Sequence, residues 1–267
     1  MTTVLNTVRV LRYAAATGFA DFFAVYTWRT WIFGWLSRVL CQVAFFALIG
    51  QLVDTPGQTR FLLVGNAVTI AAMESSAVVA STTWERRAGT LPLLVASPAD
   101  PAVVFCGRSV HWIVSGVVTS LTSLLVLGPF FGLRYGPAQA LAAAGITVVV
   151  SLSSYTFCLV LAGLVLRRMG LRNIVGNLAS LSMMAFCGVQ VPTDFWPRWV
   201  AAVAAVLPVT HGLSAMRALL DGAGAGRVLP AVLLEAVVGV GWAVVAALTF
   251  RRLAERGRAD GSIEFGD

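Results

Sequence analysis

Lysine is absent from this 267-residue chain: all 19 basic residues are arginine. A P-loop holds the β- and γ-phosphates through a Gly-Lys-Ser/Thr end, so the chain is expected to carry no ATP site of its own. Charge of either sign is scarce too, at 12% of residues against about 25% in a soluble domain. Cys41, Cys106, Cys158 and Cys187 stand singly inside apolar runs; without paired spacing they read as small buried hydrophobes, not as metal ligands or disulfide partners. There is no convergent Ser/His/Asp set, no carboxylate pair and no second ligand near His211, so no catalytic or metal residue is assigned and an enzyme is not expected.

What the chain does have is apolar length. Hydrophobic residues make up 58% and mean hydropathy is +0.84, which indicates an all-α integral membrane protein. The net charge of +7 could suggest nucleic acid, but the arginines cluster at the ends of apolar runs, where the positive-inside rule accounts for them. No nucleic-acid partner is expected.

Read in order, residues 1–267 form a single transmembrane domain with six expected spans: 31–53, 61–83, 102–127, 138–166, 174–191 and 229–250. No signal peptide is expected ahead of them, since Asp21 and Arg29 stand before the first run without a cleavage pattern. Phe19, Phe22, Phe23 and Tyr26 follow helical spacing, predicting an interfacial helix over 17–30; the alternative is that it extends the first span. Gly128-Pro129 to Pro137 reads as a return loop. Two short apolar helices within 192–228, near 197–206 and 211–220, are each half a span. Thr193 or Asp194 can cap the first, Pro208 breaks it, and Thr210 can cap the second. They predict a re-entrant hairpin after the fifth span. A polar tail, 251–267, follows the sixth.

Six spans place both termini on one side. Fourteen of the 19 arginines then share that side, and only Arg60, Arg134, Arg198, Arg217 and Arg227 face the other. The asymmetry puts the termini and the insert 84–101 in the cytoplasm and the hairpin outside. In that insert Glu85, Arg86 and Arg87 end the second span at the membrane surface. Gly89 breaks the helix, Thr90 can cap a new one, and Leu91 to Ala96 is too short to span. The result is a small crosswise helix whose Leu91, Leu93 and Leu94 need a protein partner.

The run Glu85-Arg86-Arg87-Ala88-Gly89-Thr90-Leu91, followed by Leu94-Val95-Ala96-Ser97-Pro98, resembles the cytoplasmic signature of type-2 ATP-binding cassette (ABC) exporter permeases. Pro92 stands where that family often has Glu. A second block, Gly188 to Pro192, Trp196-Pro197 and Leu207 through His211 to Arg217 and Gly222, resembles the family's extracellular hairpin. The resemblance implies a coupling helix (Glu85, Arg86, Arg87, Gly89, Thr90, Leu91, Leu93, Leu94) that docks on a separate cassette ATPase. It implies two ATPase subunits, which hold the ATP and magnesium, and a second permease half, either the same chain or a paralogue. It also implies a multi-pass protein of the bacterial plasma membrane, surrounded by lipid, that exports an amphiphile such as a drug, lipid, peptide or polysaccharide. Pro192, Trp196, Pro197, Pro208 and His211 mark the hairpin.

Glu74 and Glu235 are carboxylates within spans and hence functional candidates; the plainer reading is that Glu74, beside Ser75 and Ser76, is hydrogen-bonded in the bundle. With Met183, Met184 and Phe186 on the fifth span, Glu74 is a candidate for the substrate path, although ordinary packing also accounts for those three. His111 reads as packed. The competing function is a proton-coupled secondary transporter using Glu74, against which there is no internal repeat.

Overall fold

A computed structural model describes residues 2–53, 55, 57–87, 101–166 and 169–259. Among the described residues there is helix and no strand. The chain begins with α1 (Thr2–Val25) and α2 (Thr30–Leu52), then α3 (Gln58–Arg87) and α4 (Val103–Phe130). It continues with α5 (Pro137–Val165), α6 (Arg172–Phe186), α7 (Arg198–Val206), α8 (Thr210–Leu220) and α9 (Ala225–Ala259). The coupling residues Gly89, Thr90, Leu91, Leu93 and Leu94 lie outside the described residues. Of Glu85, Arg86 and Arg87 only the backbone is described, as the last turn of α3.

The middle helix is α3. Within its apolar stretch 83% of residues are buried, against 17% for α2 and for α9, which therefore form the rim. The sequence explains this: Gly65, Ala67, Ala71, Ala72 and Ser75 are small on every face, so neighbours can approach α3 from all sides. A Cβ on Gly65 would lie 2.3 Å from the Val189 carbonyl, and one on Gly116 of α4 would lie 2.9 Å from the Ala71 carbonyl. On the other side, the Ser75 hydroxyl lies 3.2 Å from the Ser151 carbonyl of α5. Serines and threonines buried along these helices, such as Thr69, Thr119 and Thr147, return their hydroxyls to the carbonyl four residues back, so little of the seam is left unpaired.

Among the described residues five helices are long and apolar enough to cross a membrane: α2, α3 (Gln58–Ser81), α4, α5 and α9 (Ala225–Leu253). The expected fifth span, 174–191, is shorter than its sequence suggested. α6 has 15 residues, about 22 Å at 1.5 Å per residue, short of a ~30 Å hydrocarbon core. It stops because Gly188 turns left-handed, with φ 80°, and residues 187–191 bend away. Counting α7 and α8, which meet at 88°, as one broken crossing would give six.

Other boundaries moved as well. The expected 17–30 helix is the end of the longer α1, which stops before Tyr26 and does not run into the first span. Thr27 starts the next helix instead, its hydroxyl accepting from the Thr30 N–H at 3.3 Å, as an N-cap does. α1 crosses the start of α4 through glycines: a Cβ on Gly18 would lie 2.1 Å from the Arg108 carbonyl, and one on Gly107 2.6 Å from Ala14. Phe19 and Phe22 face the buried His111, and an ion pair joins Asp21 to Arg108 at 2.7 Å. The expected loop at Gly128 is still helix. α4 passes through a π segment, Ser123–Leu127, and turns only after Phe130, where the Tyr135 hydroxyl folds back onto the Leu124 carbonyl at 2.6 Å. Residues 251–259, expected as polar tail, extend α9.

Candidate functional site

Both intramembrane glutamates are buried: Glu74 is 3% exposed and Glu235 is fully enclosed. A carboxylate removed from water costs several kcal/mol unless donors surround it, so the donors define each site.

Glu74 lies on α3 between α2 and α4. One oxygen accepts from the Trp35 indole N–H and the other from the Ser115 hydroxyl at 3.1 Å. Trp35 belongs to a π segment, Thr30–Leu36; such an extra residue in the turn re-aims side chains and recurs at functional sites. The Arg38 guanidinium rests 4.5 Å above the Trp35 ring, and Tyr26 meets that ring edge-on. Burial first, and the nearby Glu74 carboxylate second, push the Tyr26 phenol above its ordinary range. Gly116 gives α4 the room to bring Ser115 in, since a Cβ there would press on Glu74 at 3.2 Å.

Glu235, on α9, is held by backbone. One carboxylate oxygen accepts from the Val209 N–H at 2.8 Å and from the Ser153 hydroxyl of α5; the other accepts from the Gly212 N–H at 2.9 Å. Val209 is the N-cap residue of α8 and Gly212 its third helical residue. Those are two of the amides that a helix start leaves without internal partners. The carboxylate therefore caps α8 from another helix, where it also meets the positive end of the helix dipole, worth up to ~2 kcal/mol when partly buried.

This overturns one sequence expectation. Thr210 does not cap α8; Val209 stands at that position without a side-chain cap, because Glu235 supplies one from 26 positions along. Thr210 and its neighbours serve the other helix of the pair. The Thr210 hydroxyl donates to the Ala204 carbonyl at 2.6 Å, His211 Nε2 to Ala205 at 2.9 Å and Trp242 Nε1 to Val206 at 2.8 Å. The last carbonyls of α7 are thus satisfied where Pro208, buried in the turn, ends it. Val209 takes φ 85° and ψ −39°, a left-handed conformation that among the described residues no other non-glycine adopts. For a β-branched residue such a conformation costs on the order of 1–3 kcal/mol and persists only where surrounding contacts impose it.

Glycine sets the distance. A Cβ on Gly212 would lie 2.2 Å from Val150 and 3.3 Å from Glu235, and one on Gly239 would lie 2.9 Å from Ser153. The sequence singled out Glu235 and Pro208, and held Val209 and Gly212 only as members of the hairpin block, with no role as donors; Ser153 and Trp35 carried no signal of their own. The signal available for these was that a carboxylate inside a span must have donors on neighbouring elements.

The remaining hairpin residues lie at the same end. Trp196 meets Phe186 edge-on at 5.5 Å, and Pro197 precedes the first residue of α7 without a side-chain cap, so neither Thr193 nor Asp194 caps it. Pro192 lines a cavity of about 470 Å³ with Cys187, Thr210, Ser214, Arg217 and Asp221. Arg217 fastens this end to α3: it donates to the Phe61 carbonyl at 3.1 Å and lies 3.5 Å over the Phe61 ring. Arg60 pairs with Asp221 at 2.9 Å. Met183 is fully buried in the core, while Met184 and Phe186 are half-buried on α6.

An all-helical chain with five such apolar helices is a multi-pass membrane protein. Residues 23–220, well over half the chain, match the model of the ABC-2 type transporter family. The chain belongs to that family, as one of its transmembrane permeases, a component that is not itself catalytic and whose family typically works with an ATPase. No curated protein matched it.

Proposed function

We propose that this chain is the membrane subunit of an ATP-driven exporter: it forms the path, and a separate cassette ATPase, in two copies with ATP and magnesium, drives it. The observation that carries the reading is a permease-family match along 23–220 in a chain with no lysine for a P-loop. A second permease half, this chain again or a paralogue, completes the unit in a bacterial plasma membrane. On this reading the 174–191 segment, α6 together with the bent residues 187–191 that follow it, makes the sixth crossing, both termini are cytoplasmic, and α7–α8 form an extracellular re-entrant hairpin. The 84–101 insert is the coupling helix, with Glu85, Arg86, Arg87, Gly89, Thr90, Leu91, Leu93 and Leu94 at the contact. The substrate is an amphiphile; of the path candidates Glu74, Met183, Met184 and Phe186, the half-buried Met184 and Phe186 are the ones it can pass, since Glu74 and Met183 are buried.

The test is Leu94→Asp. Burying a leucine is worth roughly 1.5–3 kcal/mol, so a charge there is expected to weaken ATPase docking by tenfold or more. Co-purifying ATPase and ATP-dependent export in vesicles should both be lost at matched expression. Retention of both would remove the coupling role. Export that stops when the proton gradient collapses, with ATP intact, would favour a proton-coupled transporter using Glu74 instead.

A further inference from the structure

We infer that Glu235 is a positioning residue that ties the start of α8 to α9, so that the second half of the hairpin moves with the last span and parts from α7. For its transport consequence this rests on the permease reading; the attachment itself does not.

The asymmetry of the hinge carries it. α7 and α8 meet at 88° around Pro208, and the contacts on the two sides of that turn differ in kind. On the α8 side, Val209 and Gly212 give their amides to a single carboxylate of α9, which the Ser153 hydroxyl of α5 also meets. On the α7 side, single hydrogen bonds from Thr210, His211 and Trp242 satisfy three terminal carbonyls. Of the three residues that carry those carbonyls, Val206 is exposed and Ala205 half-buried, so water or headgroups can replace their donors, and only Ala204 is buried. The amides of Val209 and Gly212 are buried and have no such substitute. If α9 shifts without α8, two donors are stranded in an apolar interior, and Val209 loses what imposes its left-handed backbone. The hinge therefore gives way at Leu207-Pro208, and α8 follows Glu235.

The structure contains a reporter. Cys187 lines the same cavity as Thr210, beside the hinge, and is 1% exposed; Cys158, inside α5, is fully buried. In the full chain with Cys41→Ala and Cys106→Ala, N-ethylmaleimide should label neither thiol quickly, with the site of labelling located by mass spectrometry. Glu235→Gln puts an NH2 group against a backbone N–H, and should raise Cys187 labelling roughly tenfold, the loss of about one hydrogen bond to a charged group. Cys158 should stay unlabelled. Val209→Gly, which adopts the left-handed backbone without strain, should return labelling of the Gln variant part-way to the parent. Export by the Gln variant should fall in step with the labelling.

Unchanged Cys187 labelling in a folded Glu235→Gln protein would overturn the attachment, as would export lost with labelling unchanged. If that variant loses its fold, so that Cys158 labels too, Glu235→Asp decides. It keeps a carboxylate but shortens its reach to the Val209 and Gly212 amides; Cys187 labelling raised less than tenfold supports the attachment, and parental labelling overturns it. Absence of ATP-dependent export in the parent chain would count against the permease reading and leave the labelling result standing.

Discussion

Glu74 and Glu235 are the same residue type, each buried in a membrane helix, and they are held in different ways. Glu74 is met by two side chains, an indole N–H and a hydroxyl. Glu235 is met by two backbone amides and a hydroxyl. A hydroxyl can donate or accept as its neighbour requires; a backbone N–H can only donate. One oxygen of Glu74 faces a donor that cannot reverse, the indole N–H, and the other faces a hydroxyl that can, whereas both oxygens of Glu235 face backbone N–H groups; the first site can accommodate a change in its partner, and the second cannot. The difference also separates their consequences: loss of Glu74 rearranges side chains between α2, α3 and α4, whereas loss of Glu235 unfastens the start of a helix.

The comparison is tested most severely by Glu235→Leu. Two buried amides would be stranded at about 1–3 kcal/mol each, so the thermal midpoint of the purified protein should fall further than for any change at Glu74. A midpoint equal to that of Glu74→Leu would erase the distinction. Gly212→Ala comes next: its methyl would overlap Val150 and press on Glu235, an overpacking cost of about 1–3 kcal/mol, read as an earlier midpoint with Glu74 untouched. The smallest effect is expected for Glu74→Gln. Its carbonyl oxygen can keep the Trp35 N–H while its NH2 donates to a turned Ser115 hydroxyl, so the midpoint should shift by under about 1 kcal/mol. A loss there as large as that for Glu235→Gln would show that Glu74 is not merely satisfied by its neighbours.

Much of the fold was legible because a membrane leaves a chain few choices. Runs near 20 apolar residues have to become helices, and α2, α3, α4, α5 and α9 fall close to where composition put them. Pro208 announced the break between α7 and α8. The 174–191 run misled because apolar composition does not reveal where a glycine will turn left-handed, and Gly188 ends α6 early. The 128–132 stretch misled in the opposite direction, since a π segment absorbed Gly128 and Pro129 into α4.

By itself the sequence determined that this is a helical membrane protein, with two carboxylates in its spans and a broken pair of helices before the last one. Those follow from composition and local chain chemistry, which act over a few residues. Only the tertiary structure decided what the carboxylates do. Thr210 had the right chemistry to cap α8, yet Glu235 caps it, because Gly212 and Gly239 let α5, α8 and α9 come close enough for a carboxylate to reach two amides. A hydrogen bond across 26 positions leaves no local mark in a sequence, since it depends on helices that meet only after the chain has folded.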